Sequence, residues 1–288
     1  MPELPEVETV RAGLHKLIIG RVIKAARHDN PKSFPNALVD VRNFLINATV
    51  KDVRRRAKVL MIDLSTDYTL VIHLKMTGQL VFVGDERFGA GHPSDSLINK
   101  LPDKSTRATF TFVDGSYLYF NDQRKFGWMR LMPTLEVPNI DFMKKVGPEP
   151  LETDFTPGEF AECFRRRANT SIKAAILDQS VVAGVGNIYA DESLWGAKIH
   201  PKRLVKTITP REFEALYTDL RAVMNLAIAK GGSSNQTYIN VDGEKGHYMD
   251  FARVFRREGQ ECPRCGTLIV KFKVAGRGTH ICPNCQKP

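Results

Sequence analysis

The chain has 288 residues, of which 42% are hydrophobic and 26% are charged. This length supports more than one hydrophobic core, and no apolar run is long enough to span a bilayer, which argues against an integral membrane protein. The chain has 42 Lys and Arg residues and 32 Asp and Glu residues, which gives a net charge of +10. This positive charge favours nucleic acid over a membrane surface as the partner.

The first residues pair an imino acid with two carboxylates. Removal of Met1 would leave Pro2 with a free secondary amine, and α-amino groups have a pKa of about 8, so a fraction is nucleophilic near neutral pH. Glu3 and Glu6 lie one helical turn apart and can transfer protons around an imine formed on that amine. The competing interpretation places Pro2 in the first turn of an ordinary helix, where proline and acidic residues are favoured.

A helix is predicted over residues 3–18, because apolar residues recur there with helical spacing. Between about residues 20 and 133 the pattern changes to short alternating segments typical of antiparallel strands. These strands are predicted at residues 21–25, 59–64, 69–74, 79–83, 108–112 and 117–120. Turn residues such as Asp114-Gly115-Ser116 separate the segments, which predicts a sandwich or a barrel.

A proline-rich and acidic linker is predicted next, and the pattern beyond it is helical. Helices are predicted at residues 157–167, 171–178, 187–195 and 210–230. Gly184 and Gly186 lie in the connector before the third of these and can bring backbone amides close to a ligand. Asn187 follows at a helix N-terminus, which favours phosphate; a simple helix cap is the alternative.

Four cysteines near the end of the chain form two C-x2-C pairs. Cys262, Cys265, Cys282 and Cys285 have the spacing of a tetrahedral site for one structural zinc ion. A pair of disulfides and a redox motif are the competing interpretations, but the fifth cysteine, Cys163, has no partner and no signal peptide is visible. Between the pairs, an alternating segment and a glycine-containing turn predict a two-stranded ribbon with Arg277 at its tip.

Four motifs in this order resemble bacterial formamidopyrimidine-DNA glycosylases. They are residues 1–9 (MPELPEVET), 55–58 (RRAK), the glycine connector through Asn187, and 275–280 (AGRGTH). The resemblance implies an α+β multidomain protein in which an N-terminal antiparallel β-sandwich with flanking helices precedes a helix-two-turn-helix region and a β-ribbon zinc finger. The expected domains are 1–133 (catalytic sandwich), 134–152 (linker), 153–257 (helix-two-turn-helix with a lesion-capping loop) and 258–288 (zinc finger).

The activity implied is that of a bifunctional DNA glycosylase and AP lyase of base excision repair. Such an enzyme removes 8-oxoguanine and formamidopyrimidines from duplex DNA, with the damaged base flipped out of the stack. Pro2 resembles the nucleophile that attacks the sugar C1′, and Glu3 the acid that protonates the sugar ring oxygen, before β,δ-elimination. Lys58 and Arg277 resemble catalytic residues that also grip phosphates. His73, Asn187 and Lys173 resemble further DNA-binding residues.

Three residues resemble a wedge that fills the space left by the flipped base: Met76, Arg124 and Phe126. Arginine can hydrogen-bond the orphaned partner base, which is expected to be cytosine, while the thioether and the ring fill the void. Without the resemblance, Met76 and Phe126 would be interpreted as sandwich core and Arg124 as a solvated turn residue.

Lesion contacts are implied for Glu6 and for the backbone near Gln236, Thr237 and Tyr238. These last three residues lie in the long polar segment 231–248. The resemblance implies that this segment is a loop over the bound base, whereas its composition alone is equally compatible with a disordered insertion. Two positions depart from the family pattern: Ser105-Thr106-Arg107 replaces a His-x-His pair, and Thr77 replaces an acidic residue found in some members.

Two competing functions stay open at this point. An endonuclease VIII-like enzyme would remove oxidised pyrimidines with similar chemistry, and a non-catalytic zinc-ribbon protein would bind DNA without cleaving it. The expected partner is damaged double-stranded DNA, bound by a monomer with no membrane association. The expected location is the bacterial cytoplasm, in association with the nucleoid.

Overall fold

The computed structural model describes residues 1–233 and 248–288. Two compact units divide the chain. The amino-terminal unit comprises Met1–Lys144 and Ile228–Tyr248, and the carboxy-terminal unit comprises Lys145–Ala227 and Met249–Pro288.

The amino-terminal unit begins with the predicted helix, α1, at Leu4–Ile18. Its core-facing side carries Val7, Val10 and Leu14, which recur at helical spacing and are buried. Gly13 lies against the ring of Phe88, and a Cβ atom there would stand 2.1 Å from the ring. Only glycine therefore permits this close approach of α1 to the sheet.

The strands that follow, as far as the chain is described, pair antiparallel in two sheets. They are β1 (Ile23–His28), β2 (Val50–Arg56), β3 (Val59–Leu64), β4 (Tyr68–His73), β5 (Gly78–Val83), β6 (Arg87–Gly91), β7 (Thr106–Phe112), β8 (Tyr117–Asp122) and β9 (Trp128–Pro133). One sheet has the order β1-β7-β8-β5-β6 and the other the order β2-β3-β4-β9. Short helices in this unit are α2 (Leu38–Asp40), a π-helical turn (Val41–Leu45), 3-10 turns (Asp95–Leu97, Thr134–Asn139) and α3 (Asp141–Lys145).

One hydrophobic core joins both sheets and α1. It contains Leu60 and Leu70 from the sheet that begins with β2, and Phe110 and Phe120 from the sheet that begins with β1. The predicted antiparallel sandwich is therefore confirmed.

Three strands were missed by the sequence pattern, and all three lie at sheet edges. β2 and β9 border one sheet and β6 borders the other. Edge strands have one neighbour and face solvent more often, so their apolar alternation is weaker. β2 reads VKDVRRR and β6 reads RFGAG, where charges and glycines interrupt the alternation.

The carboxy-terminal unit is helical before a small ribbon. Its helices are α4 (Pro157–Cys163), α5 (Ile172–Ile176), α6 (Asn187–Gly196) and α7 (Pro210–Ala229), with 3-10 turns at Arg165–Arg167, Val205–Thr207 and Tyr248–Phe251 beside or between them. The ribbon is β10 (Val270–Val274) paired with β11 (Arg277–Ile281). Helices and ribbon stand where the sequence predicts them, although α4 and α5 are shorter than expected. In the described residues, no helix combines the length and apolarity needed to cross a bilayer.

Candidate active site and metal centre

Pro2 lies just before α1, and two buried carboxylates follow it in the first turn. Glu3 and Glu6 are 4% and 5% exposed. The backbone N–H of Glu3 donates to Oε2 of Glu6 at 2.8 Å, and the N–H of Ser233 donates to Oε1 of the same side chain at 2.9 Å. Glu6 thus joins the first turn of α1 to the segment just before residue 234. These contacts form a capping box at the start of α1, and the predicted role of both carboxylates beside Pro2 stays a prediction.

Lys58 lies in the turn between β2 and β3 and is buried. The turn consists of Ala57 and Lys58, because Arg56 pairs with Val59, and Ala57 takes a left-handed φ of +52°. Arg55, near the end of β2, bridges this turn and α1. Arg55 Nε donates to Glu8 at 2.9 Å and its Nη1 donates to the carbonyl of Ala57 at 3.0 Å.

His73, at the end of β4, is a neutral imidazole. Its Nδ1 accepts the N–H of Lys75 at 3.0 Å, so the ring proton resides on Nε2. Burial, together with the positive charges of Lys75 and Lys58, lowers the pKa of His73 from 6.5 to about 3. His73 can therefore offer a phosphate a neutral hydrogen-bond donor at physiological pH.

This neutral state predicts an acid dependence of stability. The folded pKa lies below the unfolded value of 6.5, so the unfolded chain binds more protons and stability is lost as pH falls from 6.5 toward 3. Urea unfolding of the His73→Gln variant should show a smaller loss between pH 7 and pH 4.5 than the unsubstituted chain, by on the order of 2 kcal/mol. Equal losses in the two proteins would show that His73 is not held neutral by the fold.

The three residues predicted to form the wedge lie in two turns of the amino-terminal unit. Met76 is half-buried in the turn between β4 and β5, and Arg124 and Phe126 are exposed in the turn between β8 and β9. The guanidinium carbon of Arg124 lies 4.8 Å from the ring centroid of Phe126. Phe126 is 54% exposed, so it lies outside the sandwich core.

The departures from the family pattern flank these turns. Thr77 is buried directly after Met76, and Arg107 is buried at the start of β7. Gln236, Thr237 and Tyr238 lie outside the described residues.

In the carboxy-terminal unit, the glycine connector leads into α6. Gly184 takes a φ of +77°, and the side chain of Gln179 closes the loop by accepting from the N–H of Gly184 at 3.0 Å and donating to the carbonyl of Val185 at 2.8 Å. Asn187 is the first residue of α6, and its Nδ2 donates to the carbonyl of Gly278 at 2.9 Å. Its Oδ1 is buried without a hydrogen-bond partner among the described residues.

Lys173 is fully buried against the same carbonyl. Its ammonium donates to Asp191 at 2.6 Å, to Thr279 Oγ1 at 2.8 Å and to the carbonyl of Gly278 at 3.0 Å. A lysine placed in this way fixes Gly278 in the strand that follows the ribbon tip. The predicted DNA-binding role of Lys173 stays a prediction.

Arg277 is exposed beside the turn of the ribbon. Val274 pairs with Arg277 across a turn of two residues, Ala275 and Gly276, which have φ of +48° and +76°. Positive φ at both positions is typical of a tight hairpin turn that matches strand twist. The predicted ribbon with an arginine at its tip is therefore present.

The four cysteines converge on one point. Their sulfur atoms all lie within 4.8 Å of one another, with separations of 4.0 Å between Cys262 and Cys285 and 3.5 Å between Cys265 and Cys285. Four thiolates at these separations fit a tetrahedral ion with metal–sulfur bonds of about 2.3 Å. One structural zinc ion is therefore held here, and it joins the segment before β10 to the segment after β11.

Two buried acids that organise these residues were not assigned a role from sequence. Asp191, on α6, accepts from Lys173 and, at 3.0 Å, from the N–H of His280. Asp122, at the end of β8, accepts backbone amides of the turn that carries Arg124. Both are fully buried. One signal in the sequence could have identified them. Each is an acidic residue at a position that helical or strand periodicity assigns to the interior.

Family models match most of the chain. The Formamidopyrimidine-DNA glycosylase N-terminal domain matches residues 1–129, the Formamidopyrimidine-DNA glycosylase H2TH domain matches residues 146–238, and the zinc finger found in FPG and IleRS matches residues 259–288.

Relatives of known name match over the full length. The chain is 41% identical to the formamidopyrimidine-DNA glycosylase of Streptococcus pneumoniae and 40% identical to that of Pelotomaculum thermopropionicum, covering 100% of this chain and 99% of each relative. A solved complex of a Lactococcus lactis FPG variant with Fapy-dG DNA superimposes with a TM-score of 0.87 at 36% identity, with both chains covered completely. The chain therefore belongs to the formamidopyrimidine-DNA glycosylase family.

Proposed function

We propose that Pro2 is the nucleophile with which this protein, a DNA glycosylase and AP lyase of base excision repair, excises oxidised purines from duplex DNA. The observation that carries the proposal is the pair of buried carboxylates, Glu3 and Glu6, that follow the imino acid at the start of α1 in a chain of this family. Met1 is 48% exposed, which leaves it accessible for removal.

The reaction starts when the unprotonated amine of Pro2 attacks the sugar C1′ and the damaged base departs with the electron pair of its glycosidic bond. Opening of the sugar ring then gives a cationic imine, since a secondary amine that forms a C=N bond carries a positive charge. The imine draws electrons from C2′, so a proton leaves C2′ and the 3′ phosphate departs. In a second elimination a proton leaves C4′ and the 5′ phosphate departs, which leaves a one-nucleoside gap.

Glu3 is proposed to donate a proton to the sugar ring oxygen as the ring opens. A positioned acid contributes about 10²- to 10⁴-fold to such a step, so Glu3→Gln should slow ring opening, and with it imine formation and strand scission, by at least 100-fold. Single-turnover strand scission of 8-oxoguanine duplexes measures this loss. Glu152→Gln, which alters an exposed carboxylate in the other unit, is the matched control and should cleave at the unsubstituted rate. A Glu3→Gln rate within threefold of the control would remove Glu3 from the mechanism.

The phosphates beside the lesion are proposed to contact Lys58, His73, Asn187 and Arg277. The structure supports different kinds of contact at these positions. His73 is a neutral donor, Arg277 is an exposed cation at a hairpin, and Asn187 lies at a helix N-terminus whose amides favour anions. Such a mixture of hydrogen-bond donors fixes the position of the DNA backbone on the protein without recognising the base sequence.

The DNA lesions bound by similar proteins bear on the proposed substrates. Structures similar to this chain hold Fapy-dG DNA, carbocyclic 8-oxo-G DNA and, for Lactococcus lactis FPG, DNA with an oxidised pyrimidine. We propose oxidised purines as the preferred substrates, with Glu6 and residues 236–238 at the lesion, and oxidised pyrimidines as the alternative.

Borohydride trapping tests the substrate and the chemistry together. Duplexes with 8-oxoguanine, formamidopyrimidine or thymine glycol opposite each base are incubated with the enzyme and reductant, because an imine is reduced to a permanent link. Fastest trapping on the two purine lesions is expected. Fastest trapping on thymine glycol would favour the endonuclease VIII-like alternative, and binding without trapping would favour a non-catalytic protein.

Action on chromosomal DNA leads us to propose a cytoplasmic, nucleoid-associated enzyme that works as a single chain.

A further inference from the structure

Two separate turns of the amino-terminal unit carry the wedge residues, and a wedge works only if both are held in one arrangement. Met76 lies in residues 74–77, between β4 and β5. Arg124 and Phe126 lie in residues 123–127, between β8 and β9. Gly78 closes the first turn by donating its N–H to the carbonyl of Leu74 at 2.9 Å.

A single hydroxyl group links the two turns. Thr77 Oγ1 donates to the carboxylate of Asp122 and accepts the N–H of Arg124 at 3.0 Å. The hydroxyl therefore acts as donor and as acceptor, in both cases toward the segment that begins at Asp122. Thr77 is 8% exposed, so water competes little for these bonds.

The carboxylate of Asp122 holds the second turn at both ends. Oδ1 accepts from the N–H of Arg124 at 3.2 Å, and Oδ2 accepts from the N–H of Gly127 at 2.6 Å. Asp122 is fully buried, and its own backbone carbonyl accepts from Arg107 Nε at 3.0 Å. Arg107 thus supports the backbone of Asp122, at the end of β8.

We propose that the Thr77–Asp122 hydrogen bond is a positioning device that fixes Met76 relative to Arg124 and Phe126, so that the wedge enters the duplex as one body. The proposal rests on the proposed function, because a wedge is needed only if a damaged base is excised from duplex DNA, and it takes the three wedge assignments from the family resemblance. Thr77 is a positioning residue in this account: it touches neither the base nor the sugar and acts through the two turns.

The consequence is specific to DNA that must be unstacked. Loss of the bond should impair eversion of the damaged base and reading of the base left opposite, because both depend on joint insertion of the three side chains. Cleavage at an abasic site in single-stranded DNA requires neither step.

Thr77→Val tests the inference, since it keeps the branched shape and removes the hydroxyl. Single-turnover excision of 8-oxoguanine opposite cytosine should fall by about tenfold, the effect of one net hydrogen bond of about 1.4 kcal/mol. The ratio of rates opposite cytosine and opposite adenine should shrink. Thr77→Ser, which restores the hydroxyl, should recover both values. For Thr77→Val, the factor by which the rate falls on duplex DNA should be at least five times the factor by which it falls at a single-stranded abasic site.

Thr66→Val is the matched control, because it removes a hydroxyl that donates to the carbonyl of Phe44 at 2.7 Å, away from the wedge turns. The inference is overturned if Thr77→Val and Thr66→Val give the same duplex rates and base ratios, or if Thr77→Val slows single-stranded and duplex cleavage equally. Failure of the proposed function would look different, because the unsubstituted protein would then form no trapped complex on 8-oxoguanine DNA.

Discussion

Enzyme that begins at Pro2 is expected to be trapped on 8-oxoguanine DNA by borohydride, whereas the same chain that keeps Met1 is expected to lose trapping and strand scission by at least 100-fold. An extra residue moves the terminal amine by about 3.8 Å. It also converts the nitrogen of Pro2 into an amide, which is not nucleophilic. A displacement of about 1 Å in a reacting group can already cost 100-fold, so the primary amine of Met1 is a poor substitute.

The comparison needs two preparations that differ only at the terminus. Cleavage of a removable leader can release the chain at either residue, and mass spectrometry verifies each start. Binding to an uncleavable abasic analogue serves as the control, because the DNA contacts of both units are retained in the Met1 form. If the Met1 form were trapped as fast as the Pro2 form, the imino acid could not be the nucleophile. Acetylation of the Pro2 form should reproduce the loss.

The sequence predicted the features whose information is local. α1, the interior strands and the cysteine pairs each follow from spacing within a few residues, and each is confirmed. β2, β6 and β9 were missed since an edge strand presents less apolar alternation. Their place in the sheets depends on pairing with strands that are distant in sequence.

Contacts between distant residues could not be predicted in this way. Lys173 meets Asp191 and Thr279, which lie 18 and 106 residues further along the chain. Nothing in the spacing of these three residues shows that they meet. The link from Thr77 to Asp122 spans 45 residues and depends on the register that pairs Gly78 with Asp122. Periodicity assigns a residue to the interior, but the partner of a buried polar group is set by the tertiary fold.

Removal of the zinc ion is expected to unfold the ribbon and weaken binding to damaged duplex DNA by at least 100-fold. The cysteine cluster is packed with Trp195, Val254 and Ile269 in a small hydrophobic group, too little apolar surface to hold the ribbon without the metal. Zinc binding by small fingers contributes about 10–16 kcal/mol to folding, so most of the stability of this region depends on the ion. Arg277 would then lose its fixed place at the ribbon tip.

Two cysteine variants separate the metal from other thiol chemistry. Cys285→Ser should lose the zinc, the hydrogen-exchange protection of β10 and β11, and affinity for the abasic analogue. Cys163→Ser alters the cysteine outside the cluster and should keep one zinc ion and full affinity. Exchange protection of β3 and β4 should be the same in both variants, because the sandwich has its own core. Zinc-free protein with an ordered ribbon and unchanged affinity would show that hydrophobic packing alone maintains the finger, and that the cysteines are not what holds Arg277 in place for DNA.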